Sequence, residues 1–187
     1  MEKQKVAWNN WNPGLDNDDL TLAQVRETLP GADPKDISLL VRLLENPKSP
    51  LALTGAASLE RHDCIHIILG RGLLPQDEGF VIGFTMGSAK GDLSKLETFI
   101  FKKVARFLYP TNYRLTSKNL IAYELGLEAG RDSGCYKIFQ VPLEEYGSRT
   151  LGEIRSGLGI DREYLKSIYR REAKLLPGTK ATKRLPV

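Results

Sequence analysis

The only two histidines of the chain, His62 and His66, stand four residues apart in the segment Arg61-His62-Asp63-Cys64-Ile65-His66. At about 100° per residue on a helix, His66 lies about 40° and Asp63 about 100° round from His62, so all three project from one face, while Cys64, at about 200°, points away. Leu59, Cys64, Ile65, Ile67, Ile68 and Leu69 take up nearly all the remaining directions, which predicts a helix buried on most sides. Two imidazoles and a carboxylate are thereby carried into or beside the core. An unpartnered polar group there costs on the order of 1–3 kcal/mol, and an isolated carboxylate more. A metal ion satisfies them, because imidazoles at i and i+4 offer two nitrogen ligands from one rigid element. A carboxylate from elsewhere then completes three ligands and leaves positions open for water or substrate. Glu78 is the candidate, since Gly70-Arg71-Gly72 and Pro75 precede it and an antiparallel hairpin would fold it back onto the first helix.

A plainer reading competes: the histidines form a satisfied core pair or share an exposed edge with Asp63, and Glu78 is a helix N-terminal carboxylate favoured by the macrodipole. Placing every histidine on one face of an apolar helix, with a carboxylate just past the turn, favours the metal. Zinc, iron and magnesium all remain compatible at this level. Asp63 is a fourth ligand or an orienter of the ligands, and it is the candidate catalytic residue, because no third imidazole exists for acid–base work. It stands where HExxH hydrolases place a glutamate, but is one methylene shorter, which disfavours that chemistry. A phosphohydrolase of the His-Asp type needs a separate upstream histidine that the chain lacks.

The elements that must position these groups read as helices, opened by Pro, Asp, Ser or Thr and closed by Gly or Pro. They are expected over 18–29, over 34–45 with Ile37, Leu40, Val41 and Leu44 in one stripe, from after Pro50 to Gly70, and over 75–90. Others are expected over 92–109, burying Leu96, Phe99, Ile100, Val104, Phe107 and Leu108, and over 117–131, 150–158 and 161–175. Residues 132–148 are the least regular, and 136–141 could be extended. The fold class is all-α: a single-domain multi-helix bundle over residues 1–176 with a central metal-bearing helix, followed by a basic mobile tail over 177–187. Gly79, Gly83 and Gly87 form a stripe among Phe80, Val81, Ile82, Phe84 and Met86. Since each glycine costs about 1 kcal/mol in a helix interior, the stripe keeps a space open. Either a neighbouring helix fills it, or Gly79, Gly83, Phe84 and Gly87 line a narrow apolar groove for an isoprenoid tail.

The 187 residues carry a net charge of +4, and from Arg149 onward ten Lys or Arg stand against four acids. That basic end reads as a solvated helix face and loose tail, or as a contact for anionic lipid. Nucleic acid is disfavoured, because no recognisable binding module accompanies it. The Lys102-Lys103-Arg106 group allows the same two readings, a solvated face or headgroup contact. Two cysteines without a CxxC pair point to a reducing compartment. The polar N-terminal stretch lacks the apolar segment of a signal peptide, and the longest uncharged run, 79–89, is far short of the roughly 20 residues needed to span a bilayer. A cytoplasmic protein with peripheral membrane attachment is the expectation, and a homo-oligomer is compatible with it.

His62-Asp63-x-x-His66, eleven residues, then Glu78 resembles the HDxxH-x11-E signature of the Coq-four family of ubiquinone (coenzyme Q) biosynthesis proteins. The surrounding ERHDCIHIILGRGLLPQDEGFVIGFTMG is similar to that family as well, over about residues 51–101, and LGEIRSGLGI near Leu151 resembles its C-terminal helix. The tryptophan-rich stretch associated with that end is missing, both tryptophans being Trp8 and Trp11. The resemblance implies an all-helical, membrane-associated protein holding a divalent metal at His62, Asp63, His66 and Glu78. It implies a polyisoprenoid or quinone-precursor lipid as ligand, other quinone-synthesis proteins as partners, and oxidative decarboxylation at ring carbon one as the reaction. A non-catalytic lipid-binding scaffold of such an assembly is the alternative.

Overall fold

Ser58 accepts a hydrogen bond from the Arg61 amide and opens the helix that carries both histidines, and Gly70, at φ +66°, closes it. The computed structural model describes residues 6–30, 54–107 and 116–186; the helix expected over 34–45 lies outside them. In chain order the helices described are α1 (Leu22–Arg26), α2 (Leu59–Leu69), α3 (Pro75–Gly87), α4 (Lys95–Phe107), α5 (Ser117–Asp132), α6 (Leu151–Gly157) and α7 (Arg162–Leu175), with short 3-10 turns between them. The only β pairing among the described residues is an isolated bridge between Thr21 and Thr150. The all-α expectation holds.

Helices α3 and α5 form the most extensive pairing. A Cβ added at Gly83 would lie 2.1 Å from the Tyr123 carbonyl oxygen, and one at Gly126 or Gly130 would lie 2.1 Å from the carbonyls of Phe80 or Phe84. Two backbones therefore touch, and only glycine permits it. This corrects the groove reading: α5 fills the stripe of Gly79, Gly83 and Gly87, and Phe84 lies wholly inside the core, so no isoprenoid channel runs along these residues. The main core gathers Ile65, Ile68, Phe80, Phe84, Ile154, Leu165, Ile168 and Tyr169 around α2 and α3.

The expected inward face of α4 is reversed. Leu96, Phe99 and Ile100 are exposed, and Phe101 is buried instead, stacked on Tyr123 with ring centroids 4.8 Å apart. Periodicity chose the wider apolar stripe, whereas a single aromatic contact sets the helix rotation. The side chains of Val104 and Phe107 and the whole of Leu108 lie outside the described residues.

Residues 136–141 are not extended. They enclose a 3-10 turn at Ile138–Gln140 that buries Ile138. The tail expected to be mobile is packed on the body: Thr182–Arg184 form a 3-10 turn, and Ala181, Thr182 and Leu185 are buried. Arg184 donates to the Asn9 carbonyl at 2.6 Å and to that of Trp11 at 3.3 Å, and Lys180 to Asn10 Oδ1 at 2.7 Å.

Much of the basic end is likewise engaged within the protein. Arg155 is buried and donates to the carbonyls of Ile68 and Leu15 and to the side chains of Asp18 and Asn17. Arg162 pairs with Asp18, Lys166 with Asp16, and Arg171 with Glu128.

Candidate metal centre

The hairpin of α2 and α3 brings the sequence-predicted ligands together. Gly70 in the left-handed conformation ends α2, and after four intervening residues Pro75 opens α3, where Asp77 Oδ2 accepts the Leu74 amide at 3.2 Å. This tight reversal returns Glu78 to the face that carries the histidines. His62 Nε2 lies 3.1 Å from His66 Nε2 and 3.1 Å from Glu78 Oε2, and His66 Nε2 lies 3.3 Å from Glu78 Oε1. Ligands about 2.0–2.1 Å from one ion are separated from each other by about 3.0 Å on an octahedral edge and about 3.4 Å on a tetrahedral one. The His62–His66 separation falls between these limits, and the two imidazoles each meet a different oxygen of the Glu78 carboxylate at 3.1 and 3.3 Å.

The protonation pattern also fits. His66, fully buried, has Nδ1 2.8 Å from the Gly72 carbonyl oxygen, which can only accept, so Nδ1 carries a proton and Nε2 faces Glu78 and His62, offering a lone pair to a metal in the neutral ring and a proton to Glu78 in the charged one. Burial opposes ionisation of Glu78, but the neighbouring His66 and His62 overcome it and hold its carboxyl well below the usual carboxylate range. His62 and Glu78 are partly exposed, at 16% and 30% of their side-chain surface, and provide the open side of the cluster.

His62, His66 and Glu78 form a group that could hold a metal ion, with ligand atoms within 4.8 Å of one another; Asp63 is outside it. Asp63 is nonetheless close enough to feel all three. Burial pushes its carboxyl up from the ordinary value, against the pull of His62 and His66 and with the push of Glu78. Cys64 and Cys135 are both buried in the main core, and neither belongs to the ligand group. Gly79, Gly83, Phe84 and Gly87 belong to the α3–α5 contact.

Sequence reasoning missed the apparatus behind His66. Arg71, in the turn, is fully buried between the rings of Phe80 and Tyr169, at 4.5 and 5.1 Å from their centroids. Its terminal nitrogens each donate to Glu172 at 2.9 Å, its Nε lies 3.1 Å from Asp77, and Gln76 donates to Glu172 at 2.6 Å. A signal was available. Leu165, Ile168, Tyr169 and Glu172 recur at helical spacing, so the last position of that buried stripe is a charge that requires a partner.

No helix among the described residues is long and apolar enough to cross a membrane. Comparison of the chain with protein-family models, curated proteins and solved structures finds no match.

Proposed function

We propose that the chain is a mononuclear divalent-metal protein that binds a polyisoprenoid quinone precursor at the open face of His62, His66 and Glu78. The observation that carries the metal reading is the convergence of two imidazole nitrogens and a carboxylate at 3.1–3.3 Å, with the far nitrogen of His66 tied to a backbone carbonyl. A nitrogen-rich donor set favours zinc or iron over magnesium, which prefers oxygen ligands. Two histidines and one carboxylate on one face, with open positions, is also the donor set of non-haem iron oxygenases.

The substrate class rests on the HDxxH-x11-E resemblance. With it comes the reaction class: on a ring with a hydroxyl para to the carboxyl, the carboxyl leaves as carbon dioxide, one atom of dioxygen takes its place, and the other leaves as water, the two further electrons and protons coming from oxidation of the resulting 1,4-diol to the quinone. The bound metal would supply a Lewis-acidic centre and, as iron, a redox-active one. Glu78, held ionised, offsets one charge of a divalent ion, and His66 presents a fixed lone pair. Asp63, coupled to all three ligands and raised by burial, is the group assigned to hold and pass a proton. An isoprenoid tail must leave the site by a route other than the glycine stripe, since α5 fills that stripe.

Metal analysis and lipid mass spectrometry on one preparation purified without chelator test both parts. About one equivalent of zinc or iron, absent from the His62→Ala/His66→Ala double variant, is the expected result, and metal-free wild-type protein overturns it. A co-purifying isoprenoid, together with turnover of a carboxylated prenyl-quinol, supports the enzyme. Bound isoprenoid without turnover in any metal form supports a lipid-presenting scaffold instead.

A further inference from the structure

The turn over residues 70–74 is held from outside the hairpin by two segments distant in sequence. A Cβ built on Gly70 would meet the Gly14 carbonyl at 2.6 Å, and one built on Gly72 would meet the Trp11 carbonyl at 2.7 Å, Asp77 Oδ2 at 3.1 Å and Arg184 Nη1 at 3.4 Å. The main chain of residues 11–15 thus lies directly on the turn. Arg184 anchors that main chain through the carbonyls of Asn9 and Trp11, and the Asn12 side chain reaches back toward the Arg184 carbonyl at 3.5 Å. The opposite side is closed by α7: Tyr169 donates to the Leu69 carbonyl at 2.5 Å, and Glu172 grips Arg71. Gly72 is consequently wedged between the 9–15 segment, Asp77 and Arg184. Its carbonyl is the group that accepts from His66 Nδ1.

We propose that residues 9–15 and 179–185 form a clamp on this turn, and that Arg184 is a positioning residue for the metal centre, acting through Trp11 and Gly72 on the orientation of His66. The inference rests on the metal reading for its consequence, but the clamp itself concerns the imidazole. Removing the Arg184 guanidinium releases the carbonyls of Asn9 and Trp11, although Leu15 stays held by Arg155, and thereby lets the Gly72 carbonyl drift and loosens the acceptor of His66. Groups that orient a metal-bound histidine in this way typically change metal affinity by about 10–100-fold when lost.

The test uses the full chain in wild-type, Arg184→Ala, Arg184→Lys and Gly72→Ala forms, each first shown by circular dichroism to be folded. Two quantities are measured: cobalt(II) affinity by chelator competition, and the imidazole 15N shifts of the metal-free protein at a pH where the rings are neutral. Because the chain has two histidines, the spectrum is simple to assign. The expected result is cobalt binding at least about 10-fold weaker in Arg184→Ala and Gly72→Ala. His66 Nδ1 should lose its protonated signature for a tautomer mixture in both, with partial recovery in Arg184→Lys. A merely structural role would lower the melting temperature and leave the tautomer unmoved.

Folded Arg184→Ala protein with wild-type cobalt affinity and wild-type 15N shifts overturns the clamp. If Arg184→Ala does not fold, Gly72→Ala decides by the same criteria. Wild-type protein that binds no cobalt overturns the metal reading, while the 15N shifts still decide the clamp.

Discussion

Glu172 receives both terminal nitrogens of Arg71 at 2.9 Å, and neither side chain has any solvent exposure. A carboxylate on α7 thereby fixes the residue between the two glycines of the hairpin turn. Breaking a buried pair leaves the other charge uncompensated, which costs about 3–5 kcal/mol. Here Asp77 is a second anion for Arg71 and softens the loss, although burial pushes the Asp77 carboxyl up against the pull of Arg71. Glu172→Gln should therefore destabilise by about 3 kcal/mol in urea unfolding. Glu128→Gln, which breaks the exposed pair with Arg171, should cost less than about 1 kcal/mol. Equal effects from the two would contradict the importance of burial.

The glycines make opposite predictions according to what surrounds them. Gly83→Ala forces a methyl group onto the Tyr123 carbonyl and should cost about 3 kcal/mol or more, lowering the melting temperature by roughly 6–12 °C. Gly157→Ala, at the end of α6 with nothing within 4 Å, should instead gain up to about 1 kcal/mol. Thermal melts of the two variants beside wild type check both signs, and a neutral Gly83→Ala would refute the direct backbone contact.

Metal should stabilise the fold, because the unfolded chain cannot hold the three ligands together. Zinc at about 100 times its dissociation constant adds about 2.7 kcal/mol, or roughly 5–11 °C in melting temperature. Glu78→Gln keeps the shape and removes the anionic ligand, so most of that shift should vanish. Protons compete with the ion for the imidazole nitrogens, so the zinc-induced shift should shrink as pH falls and grow as it rises toward neutrality. A shift of the same size in Glu78→Gln would remove Glu78 from the ligand set.

Burial pushes both cysteine thiols up to about 11. Since the thiolate is the reactive form and a raised value lowers its share, native protein at pH 8 should resist iodoacetamide at Cys64 and Cys135. Both should alkylate once urea exposes them. Rapid native labelling, read by intact mass, would contradict the packing of α2 or of the 132–138 segment.

Local chemistry made the metal hairpin legible: two histidines one turn apart, Gly70 and Gly72 at the reversal, Pro75 at a helix start, and a carboxylate placed by the return. The helix starts at Thr150 and Asp161 were equally readable, whereas the helix expected from after Pro50 begins only at Leu59, behind the Ser58 cap. What failed depended on partners remote in sequence. The rotation of α4 is set by Phe101 against Tyr123, the packing of the 178–186 segment by carbonyls at Asn9 and Trp11, and the glycine stripe by the backbone of α5. A basic tail and a stretch of small residues look the same in sequence whether they face water, lipid or another part of the chain. Asp63 is intermediate: its helical face was legible, but whether it reaches the ligand atoms depends on side-chain geometry that spacing alone does not supply.

The contact between Arg184 and the main chain at Asn9 spans 175 residues of sequence. During synthesis the histidine helix and its carboxylate emerge long before Arg184 does, so the hairpin can form early while its clamp cannot. A chain stalled or cleaved before residue 179 would carry all three ligands and still lack the group that secures the turn behind them. Such a fragment should hold metal loosely and give it up to other ligands. Firm retention of the ion would then mark chains whose synthesis has run past Arg184.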